Sequence, residues 1–140
     1  MARALLIEDC ARTRRLLARV LALEGHEVTV AADGVEGLRA LSSSGRSRTS
    51  FDLVITELVM PGNDGFEVIR AAWALPQRPK ILVIDHPFKG GAIRANRPNY
   101  LRMTLDLGAD QVLDNPVRLH ALTQAIAALL TEPVKLRRAG

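Results

Sequence analysis

Short apolar runs alternate along the chain with stretches in which apolar residues recur every three or four positions. Ala4–Ile7 is a run too short for a stable helix and reads as a buried strand. Leu16, Leu17, Val20, Leu21 and Leu23 follow at helical spacing, and Gly25 is a natural stop. Val28–Ala32 reads as a second strand ended by Asp33-Gly34, and Val35, Leu38 and Leu41 mark a short second helix. Residues 42–50 are rich in Ser and Arg, lack a period and read as a loop. Leu53–Thr56 reads as a third strand, and the turn-rich Met60-Pro61-Gly62-Asn63-Asp64-Gly65 leads into a helix carrying Phe66, Ile69, Ala72 and Trp73. A fourth strand is expected at Ile81–Ile84, a long irregular loop over 86–99, and a helix over Leu101–Leu107 stopped by Gly108. Val112-Leu113 is a short fifth strand, followed by an amphipathic helix with Leu119, Leu122, Ile126, Leu129 and Leu130. Residues 1–132 are then one domain, and 133–140 a basic tail that frays.

Continuous apolar strands alternating with helices specify a parallel sheet covered on both faces. Right-handed crossovers make it a doubly wound α/β sandwich with five strands. Composition agrees: 140 residues, 48% hydrophobic and 24% charged, exclude a disordered chain, and 4% aromatic leaves the core to Leu, Val, Ile and Ala. The single cysteine, Cys10, excludes a disulfide framework and a cysteine-based zinc site. Cys10 follows two acids, so a buried, unreactive thiol is expected. No apolar run is long enough to cross a membrane, and acids stand where a signal peptide needs its apolar region. The expected location is cytoplasmic. Nineteen basic against fifteen acidic residues leave a mild +4. Arg12, Arg14, Arg15 and Arg19, and Lys135, Arg137 and Arg138 in the tail, lack interleaved base-reading aromatics. They read as a solvated face or an ionic patch for a protein partner, not as a nucleic-acid surface.

Ligands of open α/β sheets bind outside the carboxyl ends of the strands. Here those ends carry Glu8-Asp9, Glu57, Asp85 and Asp114-Asn115-Pro116. Glu8, Asp9, Glu57 and Asp85 are expected to converge in one cleft, unless some of them, such as Asp9, cap the following helices. Crowded carboxylates bind a cation, borrow a basic side chain or take up a proton. Hard oxygen donors suit Mg²⁺, Mn²⁺ or Ca²⁺, and Lys89, His86 or Arg94 from the long loop are candidate substitute cations.

From Arg3 to Leu130 the chain resembles the bacterial response-regulator receiver domain of two-component signalling. Asp52-Leu53-Val54-Ile55-Thr56-Glu57-Leu58-Val59-Met60-Pro61-Gly62-Asn63-Asp64-Gly65 is similar to the receiver's third strand, phosphorylation site and Met-Pro-Gly-x-Asp-Gly loop. Gly108-Ala109-Asp110 and Asn115-Pro116 are similar to its Gly-Ala-Asp and Lys-Pro elements, and Gly34 fits its second loop and helix. The resemblance implies a flavodoxin-like (βα)5 sheet with strand order 2-1-3-4-5. It also implies a magnesium site at Glu8, Asp9, Glu57 and the Val59 backbone carbonyl, conserved-type loop residues Pro61 and Gly65, and a cis peptide at Pro116. Partners implied are a histidine kinase, a phosphotransferase or an effector, with homodimerisation through the last helices and strands.

The active positions depart from the receiver pattern. Glu57 stands at the phosphoacceptor aspartate, Asp85 at the Thr/Ser, Asn115 at the Lys and Val112 at the aromatic switch. Glu57 carries its carboxylate a methylene further out, and in-line phosphoryl transfer tolerates such displacement poorly. Asn115 supplies no fixed positive charge, and Asp85 sets a negative charge where a phosphate needs a donor. Four acids without a lysine replace three acids with one. The expected function is a stand-alone, atypical receiver that binds protein without being phosphorylated, and not an enzyme. The alternatives are weak phosphorylation at Glu57 and, from another class, a metal-dependent phosphohydrolase using the acidic cleft.

Overall fold

Alternation within the strands decides which helices cover which face. In the computed structural model, which describes residues 1–44, 50–60, 64–86, 97–114 and 116–135, β1 (Arg3–Ile7), β2 (Glu27–Ala31), β3 (Leu53–Glu57), β4 (Lys80–Asp85) and β5 (Gln111–Asp114) form one parallel sheet. Its order is β2-β1-β3-β4-β5, the order the resemblance implies. Between and after the strands run α1 (Ala11–Leu23), α2 (Gly34–Ser44), α3 (Gly65–Trp73), α4 (Arg97–Leu107) and α5 (Leu119–Thr131). Successive strand residues point to opposite faces, and the core divides accordingly. Ala4, Leu6, Leu53, Ile55, Leu82 and Ile84 pack with Leu17 and Leu21 of α1 and Leu122, Ile126 and Leu129 of α5. Leu5, Ile7, Val54, Ile81 and Val83 pack with Leu41 of α2, Val68, Ile69 and Ala72 of α3 and Tyr100 of α4. Both layers exclude water, which is why these strands read as unbroken apolar runs.

Several element ends differ from the sequence expectation. β2 starts earlier because Glu27 pairs with Arg3 and its N–H donates to the Ala2 carbonyl at 2.9 Å. Asp33-Gly34 is not a strand-ending turn but the start of α2. The Asp33 carboxylate accepts from the Glu36 N–H at 2.8 Å, while the Glu36 carboxylate accepts from the Ala32 N–H at 2.7 Å. This reciprocal capping starts a helix at Gly34. α2 continues through Ser44, whose hydroxyl donates back to the Leu41 carbonyl. α4 starts at Arg97, inside the expected loop. Met103 is 50% exposed on α4. Residues 133–135 of the tail are exposed, and 136–140 lie outside the described residues. Among the described residues no helix is long and apolar enough to cross a membrane.

A polar cluster ties α3, β4 and the α4–β5 turn together. Arg78 forms two hydrogen bonds to Asp110, at 2.7 and 3.0 Å, and stacks 4.0 Å from the Trp73 ring centre. Asp110 also accepts the Ile81 N–H at 2.8 Å, and the Trp73 indole donates to the Gly108 carbonyl at 2.9 Å. Gly108 sits at φ +134°, and a Cβ there would fall 1.7 Å from the indole nitrogen. Only glycine serves at that position.

Candidate functional site

Glu8 follows β1 on the side of Ala4 and Leu6, and Glu57 ends β3 on the side of Leu53 and Ile55, which is the same layer. The pairing of Ile7 with Thr56 therefore sets Glu8 beside Glu57 at the carboxyl end of the sheet. One carboxylate oxygen each from Glu8, Asp9 and Glu57 lies within 4.8 Å of the other two. Glu8 and Glu57 are each 1% exposed and Asp9 is half-buried. Two like charges at such spacing repel by about 3–4 kcal/mol at an effective dielectric of about 20. A hard cation bound there turns that repulsion into ligation, and an all-oxygen donor set fits Mg²⁺, Mn²⁺ or Ca²⁺.

Backbone contacts hold the acids in place. The Glu8 N–H donates to the Ala31 carbonyl at 3.1 Å, and the Arg14 guanidinium donates to the Glu8 carbonyl at 2.9 Å. The Thr56 hydroxyl donates to the Glu57 carbonyl at 2.8 Å. The Gly65 N–H donates to the Leu58 carbonyl at 2.8 Å, and a Cβ at Gly65 would come within 2.6 Å of the Glu57 carbonyl. Asp64 caps α3 by accepting from the N–H groups of Phe66 and Glu67. Gly65 thus lies directly against the Glu57 carbonyl.

Asp85 does not join the three-carboxylate group. It shares the parity of Ile81 and Val83, so it faces the α3–α4 layer, whereas Glu57 faces the α1–α5 layer. The carboxylates within 4.8 Å of one another are those of Glu8, Asp9 and Glu57, and Asp85 ends the neighbouring strand one residue beyond the partner of Glu57. On its own side Asp85 meets the field of Tyr100. Tyr100 is 8% exposed, and its hydroxyl has no hydrogen-bond partner among the described residues. Burial first, then Asp85 and Asp64, push its phenol from 10.0 up to about 12. Its ring meets Phe66 edge-on with centroids 5.3 Å apart. The sequence carried no local signal for this contact.

The raised phenol pKa fixes a pH dependence. The folded state holds the proton more tightly than the unfolded chain. The associated stability is complete below pH 10 and is lost as pH rises from there through about 12. Tyr100→Phe removes an unpartnered buried hydroxyl and is expected to stabilise the fold by roughly 1 kcal/mol. It also flattens that alkaline loss. Urea unfolding at neutral and alkaline pH reads both effects, and a clear loss of stability in the variant would show that the hydroxyl is bonded.

Val112 is half-buried, pairs with Val83 and packs on the α2–α3–α4 layer, where Val59 also packs. Pro116 is exposed, and His86 is half-buried immediately after Asp85. Pro61, Lys89, Arg94 and Asn115 lie outside the described residues. Arg12, Arg15 and Arg19 are exposed on α1. Two readings of the first loop are overturned. Cys10, not Asp9, occupies the N-cap position of α1. Its thiol is exposed, and hydrogen bonding to the Thr13 side chain and then its backbone holds it below its ordinary pKa, outweighing burial and the opposing charge of Asp9.

Comparison with known proteins bears on this geometry. The family model described as the response regulator receiver domain matches residues 4–127. The chain is 33% identical over 135 residues to the sensor histidine kinase RcsC of Salmonella typhi, covering 96% of this chain and 13% of that protein. It is 33% identical over 126 residues to the transcriptional regulatory protein AfsQ1 of Streptomyces coelicolor, covering 90% and 50%. The chain therefore spans half or less of these two relatives. Among solved structures it is similar to the chemotaxis response regulator CheY4 of Vibrio cholerae, with a TM-score of 0.73 and 27% identity over 92% of this chain and 98% of that one. The receiver domain of the sensor histidine kinase PA1611 from Pseudomonas aeruginosa shares the fold at a TM-score of 0.72 and 23% identity, covering 94% and 98%. It was solved with a magnesium ion coordinated in its active site cleft.

Proposed function

Because the chain belongs to the response regulator receiver domain family, we propose that it is a two-component signalling module that acts by binding a protein partner and does not depend on aspartyl phosphorylation. The observation that carries this reading is the packing of Glu57, at the phosphoacceptor position, within 4.8 Å of both Glu8 and Asp9. A phosphoryl group on Glu57 would enter a site already crowded with negative charge. Asp85 stands at the position of the usual hydroxyl donor and puts a carboxylate in its place. Asn115, at the lysine position, offers no compensating cation. The carboxylates of Glu8, Asp9 and Glu57 and the Val59 carbonyl are the groups that would hold a divalent cation, as the magnesium in the PA1611 receiver supports. A bound cation there neutralises carboxylate charge and stiffens the first loop against the end of β3. Residues 1–132 form the binding unit in this reading, with 133–140 as its basic tail. The partner is a histidine kinase, a phosphotransferase, an effector or a second copy of the chain. Family membership makes the module regulatory, not an enzyme.

Amide NMR spectra test this reading. Mg²⁺ is expected to shift the resonances of Glu8, Asp9 and Glu57, and acetyl phosphate added afterwards is expected to change nothing. A second set of shifts in β4 and α4 on adding acetyl phosphate would contradict it.

A further inference from the structure

The sheet ends on one side in β2, and among the described residues no strand pairs with its outer edge. The Glu27 N–H donates to the Ala2 carbonyl at 2.9 Å, and the Ala31 carbonyl accepts from the Glu8 N–H at 3.1 Å. Glu27, Thr29 and Ala31 therefore turn their main-chain groups to β1, and Val28 and Val30 turn theirs outward. The edge is open on both faces. Thr29, on the side of Ala31 and the α2–α3–α4 layer, is exposed, and Val30, on the side of Val28 and the α1–α5 layer, is 50% exposed. Edge strands are ordinarily guarded by a lysine, a proline or a bulge. β2 has none of these: it reads Glu27-Val28-Thr29-Val30-Ala31, in unbroken register with β1. The other edge strand, β5, keeps three of its four residues half-buried. The single charge of β2, Glu27, is paired with Arg3 at 3.7 Å.

We propose that β2 is a docking edge for β2 of a second copy of this chain, antiparallel and centred on Thr29. The strand is self-complementary in that register. Val28 lies opposite the second copy's Val30, and Val30 opposite its Val28, so each outward N–H meets an outward carbonyl. The same pairs cover the exposed face of Val30 with valine. Thr29 meets its own copy on the two-fold axis, a cross-strand pair that stabilises sheets. Glu27 falls opposite the second copy's Ala31, so no like charges face each other across the seam. A second copy is the occupant because every position of the strand finds a compatible neighbour in the strand itself, which is the condition for an isologous interface. The surface differs from the last helices and strands that the family resemblance implies. It specifies one partner of the protein-binding reading above and rests on that reading.

Sedimentation velocity of the full chain over a concentration series, with amide hydrogen exchange at both ends of the series, tests the assignment. The seam is short, so a weak, concentration-dependent dimer is expected. The Val28 and Val30 amides are expected to gain protection as it forms, a readout that needs no variant. Thr29→Lys sets two like charges opposite each other on the axis and is expected to weaken the dimer about fivefold or more. The diluted variant is expected to melt with the unmodified protein, because the position is exposed. A chain that stays monomeric at about millimolar concentration overturns the proposal. So does a dimer that Thr29→Lys leaves intact, or one that protects α4 and α5 while the Val28 and Val30 amides exchange freely. The Mg²⁺ and acetyl phosphate spectra above do not depend on the oligomeric state, so a failure of the dimer and a failure of the phosphorylation-independent reading are told apart.

Discussion

Replacing Asp110 with alanine is expected to cost about 3–5 kcal/mol of folding stability, the penalty for stripping the partner from a buried ion pair. The side chains of Arg78 and Asp110 are only 5% and 4% exposed, so solvent cannot replace the lost carboxylate. Among the described residues the Arg78 Nε has no hydrogen-bond partner, and the guanidinium charge is balanced through the two bonds to Asp110. The variant also orphans the Ile81 N–H at the start of β4. The guanidinium stacked on Trp73 cannot swing out without uncovering the indole, whose N–H anchors the Gly108 carbonyl. Urea unfolding measures the loss. Arg78→Met combined with Asp110→Leu is expected to cost much less than Asp110→Ala alone, because no charge remains buried. A loss below about 1 kcal/mol for Asp110→Ala would place the pair among weak surface contacts.

Asp9→Asn is expected to change stability in opposite directions with and without a cation. Asp9 is the half-buried member of the three-carboxylate group, so amide replacement fits without repacking. In metal-free buffer the variant melts higher than the unmodified protein, because one of three mutually repelling charges has gone. With Mg²⁺ the unmodified protein gains stability by mass action and the variant gains little. Losing a direct carboxylate ligand is expected to weaken Mg²⁺ binding by more than about the 10–100-fold typical of changes to groups behind the ligands. Thermal melts across an Mg²⁺ series check both signs. A variant that melts lower in metal-free buffer would show that the three carboxylates are not in net repulsion.

The central strands β1, β3 and β4 were legible because each is buried on both sides and reads as an apolar run. Leu53–Thr56 and Ile81–Ile84 needed no tertiary information to be found. The start of α2 was not legible in the same way. Asp33-Gly34 has the composition of a turn, and only the reciprocal bonds with Glu36 show that it is a cap. At the site, the acids that end the strands were visible, but their grouping was not. Whether Asp85 shares a face with Glu57 depends on the register that sets Glu57 opposite Ile84. That register places Asp85 one residue further on, across the pleat. Cys10 was misjudged because its charged neighbours were weighed and the first turn of α1 was not. Tyr100 with Phe66, and Arg78 with Asp110, join residues distant in sequence and leave no local pattern.

Intact mass after incubation with Mg²⁺ and acetyl phosphate tests most directly whether the module works without phosphorylation. A variant carrying Glu57→Asp, Asp85→Thr and Asn115→Lys, which restores the usual receiver residues, serves as the labelled control. The unmodified chain is expected to keep its mass while the control gains one phosphoryl group. A phosphoryl group gained by the unmodified chain and lost in Glu57→Ala would contradict this, and would make Glu57 a working phosphoacceptor.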